Sequence, residues 1–397
     1  MLFTKNITSQ SIRLASSLIR FNSTTSSQAP LDASKLIIEK TTNPKSKLSK
    51  DKLIFGKTFT DHMLEIDWDS QTGWGTPKIS PYHNFSLDPS SVVFHYGFEL
   101  FEGMKAYKDS KGQVRTFRGN KNMIRMNKSA ERITLPTFEG EELQKLIDKL
   151  LILDHEFIPE GKGYSLYIRP TMIGTDAFLG VGTPNKAKIF TICSPVGPYY
   201  KNGFKPVSLE ATDYAVRAWP GGVGDKKLGA NYAPCILPQN EAAKRGFDQN
   251  LWLFGKEGYI TEVGTMNVFF VFKNPKSGKK ELTTHPLDGT ILEGVTRDSI
   301  LELAKERLPS NEWDITERKF TIHDVQKAAK EGNLIEAFGA GTAAVVSPIK
   351  HIGYKGEDIN IPVILGNSGE LAAQIADWIS KIQYGEEEYK DWSRVAK

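Results

Sequence analysis

The stretch WPGGVGDKKLGANY, Trp219–Tyr232, decides how this 397-residue chain is interpreted. Two adjacent lysines, Lys226 and Lys227, lie among glycines that let a ligand approach the main chain closely. A lysine becomes a nucleophile when its proton is held loosely, and desolvation lowers a lysine pKa by about 3–5 units. Because a lysine in a loop is ordinarily solvated, the hypothesis of a reactive lysine depends on the motifs that follow.

Three further short motifs follow, each bordered by apolar runs. They are EVGTMN (Glu262–Asn267), LDGTILEGVTR (Leu287–Arg297) and GAGTA (Gly339–Ala343). With the lysine, they offer an amine, a carboxylate after a strand, an anion-binding helix start and a glycine-rich turn. Pyridoxal 5'-phosphate needs such a set, because its aldehyde, its pyridine nitrogen and its phosphate must each be bound. The motifs therefore predict this cofactor.

From about Lys52 onward, these motifs in this order resemble the fold-type IV aminotransferases, most closely the mitochondrial branched-chain amino-acid aminotransferases. The resemblance implies an α/β (α+β) fold of two α/β domains with the cofactor at their interface, and a homodimer as the minimal active unit. It implies that an amino group moves between leucine, isoleucine or valine and 2-oxoglutarate in two half-reactions. D-amino-acid transaminase and aminodeoxychorismate lyase activities are alternatives within the same fold.

Composition and charge limit the possible functions. With 39% hydrophobic and 25% charged residues, the chain has the composition of a globular protein, and no apolar run approaches the ~20 residues that span a bilayer. Residues 1–30 contain Lys5, Arg13 and Arg20, no acidic residue and many Ser and Thr, which predicts a transit peptide and the mitochondrial matrix. Without these three charges the net charge falls from +4 to about +1, so nucleic-acid binding is not expected.

The rest of the chain divides into apolar and alternating segments. GYSLYI, AKIFTICS, LWLF and NVFFVF predict strands, whereas GVTRDSILELAKERL and residues 370–382 predict helices. Pro and Gly are concentrated in SPVGPYYKNGF, Ser194–Phe204, which indicates an internal boundary. We therefore predict a smaller N-terminal α/β domain over 31–198, an interdomain linker over 199–213 and a larger cofactor-binding domain over 214–397.

The resemblance assigns roles in cofactor binding. Lys227, which directly precedes Leu-Gly, is the expected covalent attachment point and the general base and acid. Glu262 is the expected partner of the pyridine nitrogen. The other expected cofactor residues are Tyr232 and Thr265 near the ring oxygen, and Arg125, Val295, Thr296 and Thr342 around the phosphate. The cysteine and histidine spacings predict no metal site.

The resemblance also assigns the residues that bind the substrate. An apolar wall is expected from Phe55, Tyr96, Phe101 and Tyr199. Tyr167 and Arg169 are the pair expected to receive the side-chain carboxylate of glutamate. The backbone of the turn at Thr342 and Ala343 is expected to bind the α-carboxylate. Tyr96 and the loop around Leu179 and Val181 are expected to come from the neighbouring subunit. Several family members have a CxxC pair after this turn, but here Ala344 and Ser347 occupy those positions, so no thiol regulation is expected there.

A hypothesis from another class of protein stays open. GAGTAA, Gly339–Ala344, also fits the GxGxxA fingerprint of dinucleotide-binding proteins and follows the apolar segment LIEAF. That fingerprint opens a helix, whereas VVSPIKHIG follows here with a proline and β-branched residues. The match to the fingerprint would make the chain a nicotinamide-dependent oxidoreductase, and this is the competing prediction.

Overall fold

A computed structural model describes residues 28–198 and 205–397. Over these residues the chain forms 19 strands: β1 (Ile37–Ile38), β2 (His62–Asp69), β3 (Gly73–Trp74), β4 (Lys78–Pro81), β5 (Glu99–Phe101), β6 (Met104–Lys108), β7 (Val114–Phe117), β8 (Ser165–Gly174), β9 (Lys186–Val196), β10 (Val207–Thr212), β11 (Gln249–Phe254), β12 (Tyr259–Val263), β13 (Met266–Lys273), β14 (Lys280–Thr284), β15 (Trp313–Glu317), β16 (Leu334–Gly341), β17 (Val345–Tyr354), β18 (Glu357–Asn360) and β19 (Ser393–Val395). The same residues form seven α-helices: α1 (Val92–Tyr96), α2 (Gly119–Arg132), α3 (Gly140–Leu153), α4 (Ile236–Lys244), α5 (Val295–Arg307), α6 (Ile322–Lys330) and α7 (Glu370–Gln383).

The first sheet has ten strands in the order β1-β4-β2-β9-β8-β6-β7-β19, with β3 beside β2 and β5 beside β8. Helices α2 and α3 cover one face of it, because both have an apolar stripe. Met123 and Met126 of α2 and Leu146 of α3 share one core with the strand residues Leu100 and Ile168. Burial of these stripes is the main force that holds the helices to the sheet.

The second sheet has nine strands in the order β12-β11-β10-β17-β16-β13-β14-β15, with β18 beside β17. An additional pairing of β12 with β13 closes six of these strands into a ring. The segment NVFFVF lies in β13, where alternate residues point to opposite faces. Val268 and Phe270 belong to the core inside the ring, whereas Phe269 and Val271 pack under α5 and α7. The continuous apolar run is thus explained by burial on both faces.

Part of the predicted linker over 199–213 is not a linker. Residues 207–212 form β10, which pairs in parallel with both β11 and β17 in the second sheet. Val207, Leu209 and Ala211 alternate with more exposed residues and are buried. This period-two pattern indicates a strand, but the neighbouring prolines and glycines obscured it. Tyr199 and residues 200–204 lie outside the described residues, as do residues 1–27 of the predicted transit peptide.

The C-terminal end of the chain returns to the first sheet. β19 pairs antiparallel with β7, and Trp392, just before it, is buried against Phe117 and the Arg118 guanidinium. Residues predicted to belong to the C-terminal domain therefore complete the sheet of the N-terminal one. Among the described helices, none has the length and apolar character needed to cross a membrane.

Candidate active site

Lys227 lies where the first sheet meets α2 and the segment before α4. Its backbone N–H donates to Ser129 Oγ at 2.9 Å, and its carbonyl oxygen accepts from Phe101 N at 3.1 Å. The Nζ amine donates to the Tyr232 hydroxyl at 3.0 Å and lies 4.7 Å from the centroid of the Phe101 ring. Burial, and next the positive charge of Arg125, lower the Lys227 pKa to about 8. The amine thus loses its proton more easily than an ordinary lysine does.

The two adjacent lysines have different surroundings. Lys226 Nζ forms an ion pair with Asp225, the residue before it. Lys227 Nζ instead faces Tyr232 and Phe101. Of the two amines, that of Lys227 thus lies beside the residues predicted to bind the cofactor and the substrate.

Glu262, in β12, is a buried carboxylate with three nitrogen partners. Its Oε1 accepts from Asn267 Nδ2 at 2.9 Å and from the Leu292 N–H at 3.0 Å. Its Oε2 lies 2.8 Å from Arg217 Nη2 but accepts no hydrogen bond of regular geometry within the described residues. Burial raises the Glu262 pKa, and the charge of Arg217 opposes this increase. The carboxylate keeps an acceptor for a further donor such as a protonated ring nitrogen.

Arg125, in α2, is held in the same region by Glu102. Its Nε and Nη2 donate to the two Glu102 carboxylate oxygens, each at 2.8 Å, and its Nη1 donates to Glu293 O at 2.9 Å. A guanidinium has five N–H donors. One N–H on each terminal nitrogen of Arg125 is therefore left for another acceptor, which is the geometry needed for contact with an anion.

Three of the four residues predicted around the phosphate meet at one small cavity of about 20 Å³. Val295, Thr296 and Thr342 all line it. Helix α5 begins here, after Gly294, without a side-chain cap, so its first N–H groups are open to an anion. The structure thus brings together three residues that are up to 47 positions apart in the sequence (342 minus 295).

Four of the predicted substrate residues form a continuous wall beside Lys227: Phe55, Phe101, Tyr167 and Arg169. The Phe101 and Tyr232 ring centroids are 5.0 Å apart, and the Arg169 guanidinium lies 4.6 Å from the Phe101 ring centroid. Arg169 Nη2 donates to the Tyr167 hydroxyl at 2.9 Å, and Phe55 packs edge-on against Tyr167 at 4.8 Å. Arg169 Nε is buried and has no acceptor within the described residues. A wall of rings with one unsatisfied cationic donor suits both apolar and carboxylate side chains.

Other predicted residues lie apart from this wall. Thr265 is exposed in the turn between β12 and β13. Tyr96 ends α1, and its hydroxyl donates to Leu179 O. Tyr96 is 40% exposed, Leu179 62% and Val181 79%, so these three form part of the protein surface. The Ala343 carbonyl accepts from Lys105 Nζ at 2.7 Å in the turn after β16.

Three charged residues of this region were missed from the sequence: Glu102, Lys105 and Arg217. Glu102 and Lys105 are 0% and 9% exposed, and the side chain of Arg217 is 5% exposed. Each is a charge in a largely apolar segment, FELFEGMKAY or YAVRAW. A charge in such a segment indicates a buried polar partner. This signal was present but does not identify the partner.

The competing dinucleotide-binding hypothesis is not consistent with the structure. Gly339–Gly341 lie in β16, the turn follows, and β17 then returns antiparallel to β16. The dinucleotide fingerprint requires a helix directly after the glycines, since the helix start binds the pyrophosphate. GAGTAA therefore forms the end of β16 and the turn of a β16–β17 hairpin.

Comparison with known proteins agrees with this geometry. Residues 99–352 match the family model for amino-transferase class IV. The cytosolic branched-chain-amino-acid aminotransferase of Saccharomyces cerevisiae is 66% identical over 368 residues, which are 92% of this chain and 98% of that protein. The mitochondrial enzyme of the same yeast is 63% identical over 94% of this chain and 95% of its own length. The crystal structure of the branched-chain aminotransferase of Thermoproteus uzoniensis with norvaline has a TM-score of 0.66 at 25% identity, over 84% of this chain and 99% of that one.

The two sheets and the lysine between them define a transferase of the fold-type IV class, which confirms the predicted α/β fold class. The chain belongs to the class IV aminotransferase family.

Proposed function

We propose that this protein is a branched-chain amino-acid aminotransferase that uses pyridoxal 5'-phosphate and exchanges an amino group between leucine, isoleucine or valine and 2-oxoglutarate. The main observation behind the proposal is the Lys227 amine, which has a pKa lowered to about 8 and lies next to a wall of rings that includes Arg169. The yeast relatives, at 63% and 66% identity, bear the name of this activity.

The residues present fit the cofactor. Lys227 would attach it, Glu262 would face its ring nitrogen and Tyr232 its ring oxygen, with Thr265 supporting the network around that oxygen. The phosphate would lie at the uncapped start of α5, near Val295, Thr296, Thr342 and the two free N–H groups of Arg125. When bound, pyridoxal 5'-phosphate supplies an aldehyde and an electron-accepting ring.

The chain's own residues account for the movement of the proton. With its pKa lowered to about 8, the Lys227 amine is able both to remove the proton from the substrate Cα and to return it at near-neutral pH. The hydroxyl of Tyr232, 3.0 Å away, orients this amine. Arg217 favours the charged form of Glu262, which would otherwise take up a proton in its buried position.

The substrate pocket has to admit two kinds of side chain. Phe55, Phe101 and Tyr167 offer ring surface to a branched apolar side chain, and Tyr199 is proposed to complete the wall. Arg169, whose Nε has no acceptor in the described residues, would bind the side-chain carboxylate of glutamate with Tyr167. The backbone of Thr342 and Ala343 would bind the α-carboxylate that both substrates share.

The exposed apolar surface around Tyr96 supports a homodimer. Phe94, Phe178, Leu179 and Val181 are each at least 60% exposed, and Tyr96 donates to Leu179 O among them. An apolar patch of this kind favours a partner surface. We propose that a second copy covers it and that Tyr96, Leu179 and Val181 reach the partner's site. Light scattering of the full chain should give twice the mass of one chain. The Val181→Asp variant should give the mass of a single chain.

We also propose a mitochondrial location and two domains. The location rests on the composition of residues 1–30, and one of the two yeast relatives has the name of a mitochondrial enzyme. Fusion of residues 1–30 to a fluorescent protein tests it, and cytosolic fluorescence would contradict it. We assign residues 207–212 to the second domain, because they form β10 of the second sheet.

An absorption titration of the purified protein tests the activity. We expect a visible band of lysine-bound cofactor that leucine removes and 2-oxoglutarate restores. Lys227→Ala should abolish the band and the turnover, whereas Lys226→Ala, the matched control in the same loop, should keep both. The same titration with D-leucine in place of leucine tests the alternative of D-amino-acid transaminase activity. A protein that binds the cofactor but does not respond to leucine would overturn the branched-chain assignment.

A further inference from the structure

Residues 45–60 form a surface loop before β2, which we call the Phe55 loop. None of residues 45–57 is buried. The chain returns to the interior at Thr60, which is 0% exposed and whose N–H donates to Cys193 O of β9 at 3.0 Å. Surface loops of this length with close ends are compact units that frequently carry function. The Phe55 loop is therefore a separate unit, and what holds its two ends together determines its position.

Lys45 closes the base of the Phe55 loop with both its main chain and its side chain. Its backbone N–H donates to Asp61 Oδ1 at 2.9 Å, and its Nζ donates to Thr60 O at 2.7 Å. The Nζ also lies 4.6 Å from the centroid of the Tyr82 ring. A hydrogen bond from a charged donor is stronger than one between neutral groups. Lys45 thus ties the start of the loop to the buried residues at its end.

The body of the Phe55 loop makes only weak contacts with the rest of the protein. A cavity of about 230 Å³ lies between the loop and the segment 156–160. Lys47 forms an ion pair with Glu156, but these side chains are 46% and 63% exposed, and Lys50 Nζ lies 5.0 Å from the Tyr164 ring centroid. Exposed ion pairs and cation–π contacts add little to stability. The loop is therefore held mainly at its base.

The tip of the Phe55 loop supplies one residue of the substrate wall. The Phe55 ring packs edge-on against Tyr167 at a centroid distance of 4.8 Å. Tyr167 and Arg169 belong to β8, which pairs with β9 along its whole length. The pair proposed to receive a carboxylate is thus built on a strand inside a sheet. Phe55 is built on a loop that can move without disturbing that strand.

We infer that Lys45 is a positioning residue that favours apolar substrates: by closing the Phe55 loop, it holds the Phe55 ring against Tyr167, where the ring contacts a branched side chain. This role in selectivity rests on the proposed function, whereas closure of the loop does not. Glutamate would depend instead on Arg169, whose place in β8 is independent of Lys45. Opening of the loop should therefore weaken the binding of leucine more than that of glutamate.

Three full-length variants test this role. Lys45→Met keeps a long apolar side chain but removes the donor to Thr60 O, whereas Lys45→Arg keeps a charged donor and should behave like the unaltered protein. Lys40→Met is the matched control, because it removes the same charge from an exposed lysine that lies outside the loop. A thermal melt of each variant confirms that it is folded.

Trypsin cleavage after Lys52 reports the state of the loop without any use of activity. In the cofactor-free protein, Lys45→Met should be cleaved about tenfold faster than the unaltered protein, since the loss of a charged hydrogen bond raises the population of the open loop. The cleavage rates of Lys45→Arg and Lys40→Met should match that of the unaltered protein. An unchanged rate in Lys45→Met would overturn the role of Lys45 in closing the loop.

Steady-state kinetics with leucine and with glutamate test the selectivity. In Lys45→Met the leucine KM should rise about fivefold, as for the loss of a ring contact, while the glutamate KM changes by less than about twofold. Lys45→Arg should restore the leucine KM. An equal rise of both KM values would overturn the role in selectivity. An unaltered protein that does not turn over leucine would contradict the proposed function, and the trypsin rates would still decide whether Lys45 closes the loop.

Discussion

At the scale of single residues, the site is organised by charges that are buried in pairs. Arg125 is bonded to Glu102 through two parallel hydrogen bonds of 2.8 Å, and Arg217 lies 2.8 Å from Glu262. Removing one member of such a pair leaves the other charge buried alone, which costs about 3–5 kcal/mol. The pairs therefore fix the position of each group and also its state of ionisation.

Arg217→Met should show this effect at Glu262. We expect the free energy of unfolding to fall by about 3–5 kcal/mol and the turnover to fall strongly, because Glu262 then takes up a proton. Adding Glu262→Gln should restore part of the stability but none of the turnover. Urea unfolding and steady-state rates of Arg217→Met, Glu262→Gln and the double variant check this. Strictly additive losses of stability would show that the two residues do not interact.

Lys105 predicts a dependence of stability on pH. Its pKa of about 8 in the folded protein lies below the ordinary value of 10.5, so between these values the unfolded chain binds the proton and the folded protein does not. The free energy of unfolding therefore rises with pH across this window. The cofactor-free Lys105→Met variant should be more stable than the unaltered protein by about 2 kcal/mol at pH 7, after allowance for the lost hydrogen bond to Ala343 O.

This advantage of Lys105→Met should shrink towards pH 10, where the unaltered lysine has lost its proton. Lys227 shows the same pKa shift but is present in both proteins, so its contribution cancels. Urea unfolding at the two pH values measures the difference. An equal difference at both values would show that the ammonium charge is not the cause.

At the scale of elements, the start of α5 depends on a close approach of main chain and side chain. A Cβ on Gly294 would lie 2.0 Å from Asn267 Oδ1. Asn267 also donates to Glu262 and to Leu292 O, so it links the helix start to the carboxylate. The glycine is therefore needed for the position of both groups.

Gly294→Ala should lower the free energy of unfolding by about 2 kcal/mol, as overpacking of a filled interior does. Turnover should fall as well, because Asn267 moves away from Glu262. Gly197→Ala is a suitable control, since its Cβ would meet Tyr164 at an ordinary 3.4 Å. Thermal melts and steady-state rates compare the two. Equal behaviour of both variants would contradict the link between the helix start and the carboxylate.

Elements with a strong apolar pattern were predicted well from the sequence. NVFFVF was recognised as a continuous apolar run of strand length and GVTRDSILELAKERL as a helical segment, and they form β13 and α5. β10 was missed because its short alternation lies beside prolines and glycines. Lys105 was missed for another reason. Its partner, Ala343, is 238 positions away, and no local pattern indicates a contact between two sheets.

At the scale of the whole molecule, the two sheets depend on each other. β19 extends the first sheet, and Arg394 within it reaches Glu141 at 2.9 Å and the buried Asp148 at 3.1 Å. Lys105 and Thr342 join the sheets a second time at the site. Unfolding of one sheet should therefore expose surface of the other.

Removal of residues 392–397 tests this dependence. The truncated chain loses β19, the buried Trp392 and the partner of Asp148, so its melting temperature should fall by several degrees. The cofactor should also dissociate more readily, although no predicted site residue is removed. Deletion of Lys397 alone, which is exposed, should change neither value. A truncated chain that melts like the full one would show that β19 adds nothing to stability.

The position of β19 has a consequence for synthesis of the chain on the ribosome. Domains generally fold in the order in which they emerge, N-terminal first. Here most strands of the first sheet emerge early, but its strand β19 follows every strand of the second sheet along the chain. The edge of β7 therefore stays unpaired until the second sheet has been synthesised, and the sheet that is begun first is completed after the other one.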